Sequence, residues 1–258
     1  MHVRDLFDLT GKVGIVTGGS RGLGYQMAVA LAEAGAALAI TARKADELER
    51  TAGELRGRGY RVLAVPCDVG RPEQIEAAVA RILGEYGQIH ILINNAGATW
   101  GAAALEMPLD AWRKVMETNV TGMFLMSQAV GRSMIDAGHG GKIINIASVA
   151  GLVGTDADVM DAVGYSASKG AVIALTRDLA VKWARYGIAV NAIAPGFFPS
   201  KMTRWLIEHR EEAIRSTIPM RRLGGEDDLK GAAVYLASQA SDFVTGQILV
   251  VDGGATAW

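Results

Sequence analysis

The sequence predicts an α/β protein: a doubly wound parallel sheet of about seven strands with helices on both faces, and a lid. Three observations point there. Short β-branched apolar runs alternate with longer helical stretches at a steady pace, the pattern of successive βαβ units. The runs are apolar throughout rather than alternating, as strands buried on both faces are. Hydrophobic residues make up 50% of the 258, enough to build one sizeable core without disulfides or metals.

The elements follow in order. Residues 12–18 (KVGIVTG) read as a β-branched strand bounded by glycine. Residues 22–34 are alanine-rich with helical spacing, and Gly35 stands where a C-terminal glycine belongs. A strand at 37–41, a helix at 45–58 and a strand at 61–66 come next. Residues 72–86 are helical, with Pro72 acceptable in the first turn. Residues 89–94 (IHILIN) are a strand, and 109–137 read as one long helix. Strands at 142–146 (KIINI) and 188–193 (IAVNAI) flank a further helix, and 248–251 is the last strand. No repeat, low-complexity tract or linker divides residues 1–258, so one domain is expected. The least regular piece, 195–225, holds a charged helix-like segment (RWLIEHREEAIR) and reads as a lid or a surface insertion.

Bulk composition narrows the partners. The 26 basic and 27 acidic residues nearly cancel, which implies no basic face for nucleic acid or an anionic membrane. Cys67 is the only cysteine, so no intrachain disulfide can form and a reducing compartment fits. Cys67 itself reads as a small core residue. The first dozen residues lack a signal-type apolar stretch, and no apolar run is long enough to span a bilayer. A cytoplasmic protein is the expectation.

Tyr165 and Lys169 lie one turn apart if their stretch is helical, and so face the same way. A phenol titrates near ~10. An ammonium beside it favours the phenolate and draws that value towards neutrality, which makes the pair an acid/base device or, more blandly, a packing pair. Between the first strand and helix, Gly18, Gly22 and Gly24 let the backbone turn tightly and approach a diphosphate, which the helix N-terminus favours electrostatically. The spacing is G-x-x-x-G-x-G rather than G-x-G-x-x-G. Ser148, near the carboxyl end of a strand, stands where open parallel sheets take ligands, and Asn119 is a polar residue in a helical stretch. The histidines at 2, 90, 139 and 209 show no ligand spacing, so no metal is expected.

Taken together and in order, TGGSRGLG at 17–24, Asp68, NNAG at 94–97, Asn119, Ser148, YSASK at 165–169, PG at 195–196 and VDGG at 251–254 resemble the short-chain dehydrogenase/reductase family of single-domain, Rossmann type. The resemblance spans essentially the whole chain. It implies hydride exchange between a nicotinamide dinucleotide and an alcohol or ketone, the hydride chemistry belonging to the cofactor. By the same resemblance Tyr165 is proton donor and acceptor, and Lys169 lowers its pKa while bonding the nicotinamide ribose. Ser148 holds the substrate oxygen, and Asn119 holds a water linking Lys169 to solvent. Ser20, Arg21, Gly22, Leu23 and Gly24 join Gly18 in the phosphate loop. Asp68 and Val69 edge the adenine, and Asn95, Ala96 and Gly97 line the same side. Pro195, Gly196, Phe198 and Ser200 match positions that meet the nicotinamide carboxamide.

A carboxylate at the end of the second strand would bond the ribose 2′-hydroxyl of NAD. NAD-preferring relatives carry it where this chain has Ala42, while Arg43 and Arg21 are suited to clamp a 2′-phosphate; NADP(H) is therefore expected, with a solvated Arg43 as the competing reading. Residues 231–254 resemble gluconate 5-dehydrogenases, whereas NNAGATWGA and APGFFPSKMT also resemble 3-oxoacyl thioester reductases. Carrier-bound acyl reductases grip their carrier with arginines. Arg132 stands at one such position, but Tyr186 occupies the other, with Arg185 one place early. One place turns a helical side chain by roughly 100°. Thr99 and Trp100 are expected to wall the pocket, and Asp156, Asp158 and Asp161 either bond substrate hydroxyls and repel a substrate carboxylate or face solvent. Lys201, Arg204, Arg221 and Arg222 in the lid either attract an anion or form a solvated face. A catalytically inactive dinucleotide sensor or scaffold is the alternative, and should lack one of Ser148, Tyr165 or Lys169. A small-molecule carbonyl or alcohol substrate and a homotetramer complete what the resemblance implies.

Overall fold

The computed structural model describes residues 1–257. Its seven strands form one sheet in the order β3-β2-β1-β4-β5-β6-β7, every neighbouring pair parallel. They are β1 (Val13–Thr17), β2 (Ala37–Ala42), β3 (Val62–Pro66), β4 (Ile91–Asn94), β5 (Gly141–Ile146), β6 (Ile188–Pro195) and β7 (Ile248–Val251). The intervening helices are α1 (Gly22–Glu33), α2 (Ala45–Gly57), α3 (Pro72–Tyr86), α4 (Leu109–Met116), α5 (Gly122–Ala137), α6 (Val163–Trp183), α7 (Arg204–Ser216) and α8 (Lys230–Ala237). The doubly wound sheet expected from the alternating runs is therefore what forms.

The twofold alternation of strand side chains sorts the core into two layers. On one face Val16, Leu38, Ile40, Ile93, Ile144 and Ile193 meet α1, α2 and α8 through Met27, Leu31, Leu48, Leu55 and Leu236. Their sequence neighbours Ile15, Ala39, Leu92, Ile143 and Val190 meet α3, α5 and α6 through Ile75, Ile82, Met126, Val130 and Leu179 on the other. Because each strand is apolar on both sides, no sheet face is left to solvent, and chemistry is pushed to the strand ends.

Two elements differ from the sequence expectation. The stretch 109–137 is not one helix: between α4 and α5 the chain widens into a five-residue π-helical turn, Glu117–Thr121, which contains the fully buried Asn119. Such turns insert a residue into an α-helix and re-aim a side chain, which periodicity cannot reveal. Helix α8 was not anticipated, because eight residues dominated by Ala and Gly carry little periodic signal; it packs on α1. His90 is structural, accepting a hydrogen bond from the Val13 N–H at 3.1 Å and stacking on His139; burial pushes its imidazole down to about 4. Among the described residues no helix is long and apolar enough to cross a membrane.

Candidate active site

The chain builds β1, β2 and β3 outward in one direction, then crosses over to β4 on the other side of β1. That reversal opens a crevice at the carboxyl ends of β1 and β4, the place where open parallel sheets take ligands. Thr17, the last residue of β1, holds its two walls together. Its hydroxyl accepts from the backbone N–H groups of Asn95 at 2.9 Å and Ala96 at 3.0 Å. The Asn95 side chain donates back to the carbonyls of Thr17 at 2.9 Å and Gly18 at 3.2 Å. Asn95 is thus committed to fastening the crevice, which leaves Ala96 and Gly97 as its lining.

One wall is the loop from Gly18 into α1. Gly18 and Gly22 adopt positive φ of 66° and 57°, as the sequence spacing suggested. At Gly24 the reason is proximity: a Cβ there would lie 2.3 Å from the Gly18 carbonyl oxygen. Arg21, at the N-cap, offers no capping side chain, so the first N–H groups of α1, those of Gly22, Leu23 and Gly24, remain for an anion. This close-packed, donor-rich cradle fits a dinucleotide diphosphate. We expect Gly24→Ala to push the loop off Gly18, lowering dinucleotide affinity at least tenfold by fluorescence titration and stability by about 1–3 kcal/mol.

Beyond the loop, the Arg21 Nη1 donates to both carboxylate oxygens of Glu47, at 2.8 and 2.9 Å, and the Ser20 hydroxyl donates to the same group at 3.2 Å. Arg43 is exposed just past β2. Asp68, after β3, accepts from the Gly70 N–H at 3.0 Å and its own N–H donates to Gln74, which fixes the turn that carries buried Val69.

At the other wall, Ser148 follows β5 and accepts from the Ala150 N–H at 3.2 Å. Helix α6 brings Tyr165 and Lys169 to the same place. The buried Lys169 ammonium donates to the Ile146 carbonyl at 2.6 Å and lies 5.6 Å from the centre of the Tyr165 ring. Burial lowers its pKa to about 8. Burial also pushes the half-buried Tyr165 phenol up, with the Ser148 hydroxyl pulling the other way. Asn119 anchors this wall to the backbone. Its Oδ1 accepts from the Ala98 N–H at 2.7 Å, and its amide donates to the Ala98 carbonyl and the Ser168 hydroxyl, each at 2.9 Å. Ser168 donates in turn to the Tyr165 carbonyl at 2.7 Å, so the π-helical turn is tied to the first turn of α6.

Ser148 and Tyr165 open onto a cavity of about 540 Å³, which Thr99, Asp161, Trp205 and Arg210 also line. Trp100, expected in the wall, is 47% exposed and lies outside it. Of the three aspartates of the preceding loop only Asp161 lines the cavity; Asp156 and Asp158 are exposed. None of Lys201, Arg204, Arg221 and Arg222 lines it, and Arg222 is bound to Asp228.

Comparison with known proteins agrees with this geometry. Residues 18–256 match the family model described as Enoyl-(Acyl carrier protein) reductase. A short-chain type dehydrogenase/reductase from Mycobacterium marinum superposes with a TM-score of 0.96 at 40% identity, covering 100% of both chains. The chain belongs to the short-chain dehydrogenase/reductase family. Escherichia coli (strain K12) 5-keto-D-gluconate 5-reductase is 41% identical to it over 256 residues, 98% of each chain. A gluconate 5-dehydrogenase from Burkholderia cenocepacia J2315, solved in complex with NADP and tartrate, is 40% identical with a TM-score of 0.94 over 100% of both chains.

In this short-chain dehydrogenase/reductase the residues picked from sequence converge on one rim of the sheet, with one qualification. The Phe198 side chain points into the core and packs on Gly224, leaving its backbone for the site. Ser200 stands across from Gly22, and Gly196 is pinned by its N–H to the Val251 carbonyl at 3.0 Å. Three contributors escaped the sequence reading. Thr17 and Ser168 were visible as polar residues inside otherwise matched motifs. Arg210 was one charge among many in a charged helix.

Proposed function

We propose that this chain is an NADP(H)-dependent oxidoreductase interconverting a secondary alcohol and a ketone on a sugar acid, with residues 195–225 as its lid. The observation that carries the reading is the shared cavity: Ser148 and Tyr165 face one space, bounded by polar groups as well as apolar ones, next to the dinucleotide cradle. The names of the two sugar-acid relatives support the substrate class, and the NADP complex of one supports the cofactor. The dinucleotide, when bound, supplies or takes the hydride. Ser148 hydrogen-bonds the substrate oxygen and Tyr165 gives or takes its proton. Lys169 stabilises the phenolate charge by its own. Asn119 keeps the π-helical turn against Ala98 and Ser168, which ties it to the start of α6.

Arg21 and Arg43 hold the 2′-phosphate, with Asp68, Val69, Ala96 and Gly97 edging the adenine. Glu47 opposes that task, since its carboxylate lies on Arg21 and Ser20. Glu47→Gln should therefore tighten NADPH binding by about three- to tenfold while leaving NADH nearly unchanged, read by fluorescence titration. Weaker NADPH binding in that variant would instead assign Glu47 to positioning Arg21.

The acyl-thioester reading receives less support. Arg132 is exposed on α5, but Arg185 lies over the ring of Tyr186, its guanidinium 4.9 Å from the ring centre. NADPH consumption with 5-keto-D-gluconate and, in parallel, acetoacetyl-CoA decides between them. Turnover of the sugar acid alone supports the reading given; turnover of the thioester alone overturns it. NADPH binding without turnover of any carbonyl would favour a sensor or scaffold.

A further inference from the structure

We propose that Arg210 is the receptor for the substrate carboxylate, holding it by charge while the carbonyl carbon lies at Tyr165. The inference rests on the sugar-acid reading above and names the residue that would read the acid.

Among the described residues Arg210 is the only cationic side chain lining the cavity, and Asp161 the only anionic one. It occupies an unusual place. Helix α7 is interrupted at this residue, where φ −140° and ψ 21° leave the helical region. Its Nη1 donates to the carbonyls of Ala157 at 2.8 Å and Asp158 at 2.6 Å. Its guanidinium carbon lies 5.6 Å from the centre of the Trp205 ring, which in turn stacks on His209. The group is thus held from two sides, by neutral partners only.

That neutrality is the point. Arg21, Arg58, Arg215 and Arg222 are each paired with a carboxylate, whereas Arg210 forms no ion pair among the described residues. Two of its five N–H donors are engaged by the carbonyls, which leaves Nε and Nη2, the edge of the planar fork that meets a carboxylate through two parallel hydrogen bonds. A lysine would lack both the fork and the flat face for Trp205. An unpaired, oriented cation on a half-enclosed cavity is complementary to an anionic substrate and not to a neutral one. Asp161 offers an acceptor for the hydroxyls that lie between the two ends of such a molecule.

Arg210 also joins α7 to the loop at 157–158, so a purely stapling role must be separated from carboxylate binding. The separating quantity is the ratio of kcat/KM for 5-keto-D-gluconate to that for a neutral ketose, L-sorbose, in the wild type, Arg210→Gln and Arg210→Lys. Carboxylate recognition predicts that the ratio falls about 30-fold in Arg210→Gln, mainly through KM of the acid, with partial recovery in Arg210→Lys. A ratio unchanged within twofold, with both substrates impaired alike, would assign Arg210 to stapling and overturn the proposal. If the wild type turns over no sugar acid, the substrate reading fails separately. Calorimetric titration of D-gluconate into the NADP-saturated protein then decides for Arg210: binding that Arg210→Gln abolishes supports the proposal, and absence of binding in the wild type ends it.

Discussion

Tyr165→Phe is expected to lower kcat about a thousandfold for any carbonyl the wild type reduces, with NADPH affinity changed less than fivefold. The substitution removes one oxygen and keeps the ring, so the packing of the first turn of α6 survives. What disappears is the phenol hydroxyl that faces the cavity together with Ser148. The Ser148 hydroxyl, whose oxygen accepts from the Ala150 N–H, can still donate a hydrogen bond to the substrate oxygen, but its proton is far less acidic than a phenol's. Stopped-flow oxidation of bound NADPH isolates the chemical step. A residual rate above a tenth of the wild type would mean that the proton comes from elsewhere.

Lys169→Met should cost about a hundredfold in kcat and yet give a more stable protein at neutral pH. The ammonium is buried, and its pKa falls from 10.5 to about 8. Desolvation is the cause: the charged form has lost water and gained a single hydrogen bond, to the Ile146 carbonyl. A depressed lysine pKa means that the unfolded chain binds the proton more tightly than the folded one. Stability from this group therefore rises as pH climbs from about 8 towards 10.5 and is lowest below 8, where both states carry the charge. The shift corresponds to ~3 kcal/mol against the folded state at pH 7. Loss of the Ile146 hydrogen bond in the methionine variant returns about 1 kcal/mol of that. The variant should melt several degrees above the wild type at pH 7, with the gap closing by pH 10. A gap that does not change with pH would show that the Lys169 charge carries no such penalty.

The Lys169 expectation places function in competition with stability at one wall of the crevice. Tyr165 and Lys169 stood out as a pair because helical spacing is a local property, four residues making one turn whatever packs around it, and the family resemblance supplied their expected roles. The glycine loop was found for the same reason, since positive φ at Gly18 and Gly22 and the approach of Gly24 to Gly18 are demands made within seven residues. Asn119 was singled out, but the π-helical turn that aims it at Ala98 and Ser168 was not. Its i to i+5 geometry is stabilised by partners 21 and 49 residues distant.

The lid shows the limit most clearly. Sequence alone offered Lys201, Arg204, Arg221 and Arg222 as equals, because exposed charges near a site look alike in a string. The structure turns Arg222 onto Asp228 and brings forward Arg210, which sits at a break in α7 that leaves no mark in the helical pattern. Arg21 tells a similar story: its place in the phosphate loop was read from the motif, its carboxylate partner Glu47 only from the fold.

The sequence by itself pointed to the doubly wound sheet and the glycine loop through periodicity and short-range steric demand, and to the Ser148, Tyr165 and Lys169 set through its resemblance to the short-chain dehydrogenase/reductase family. Only the tertiary structure decided which charges face the cavity and which polar groups fasten its walls. Those outcomes depend on desolvation and on pairings between residues far apart in the chain, which no local pattern encodes.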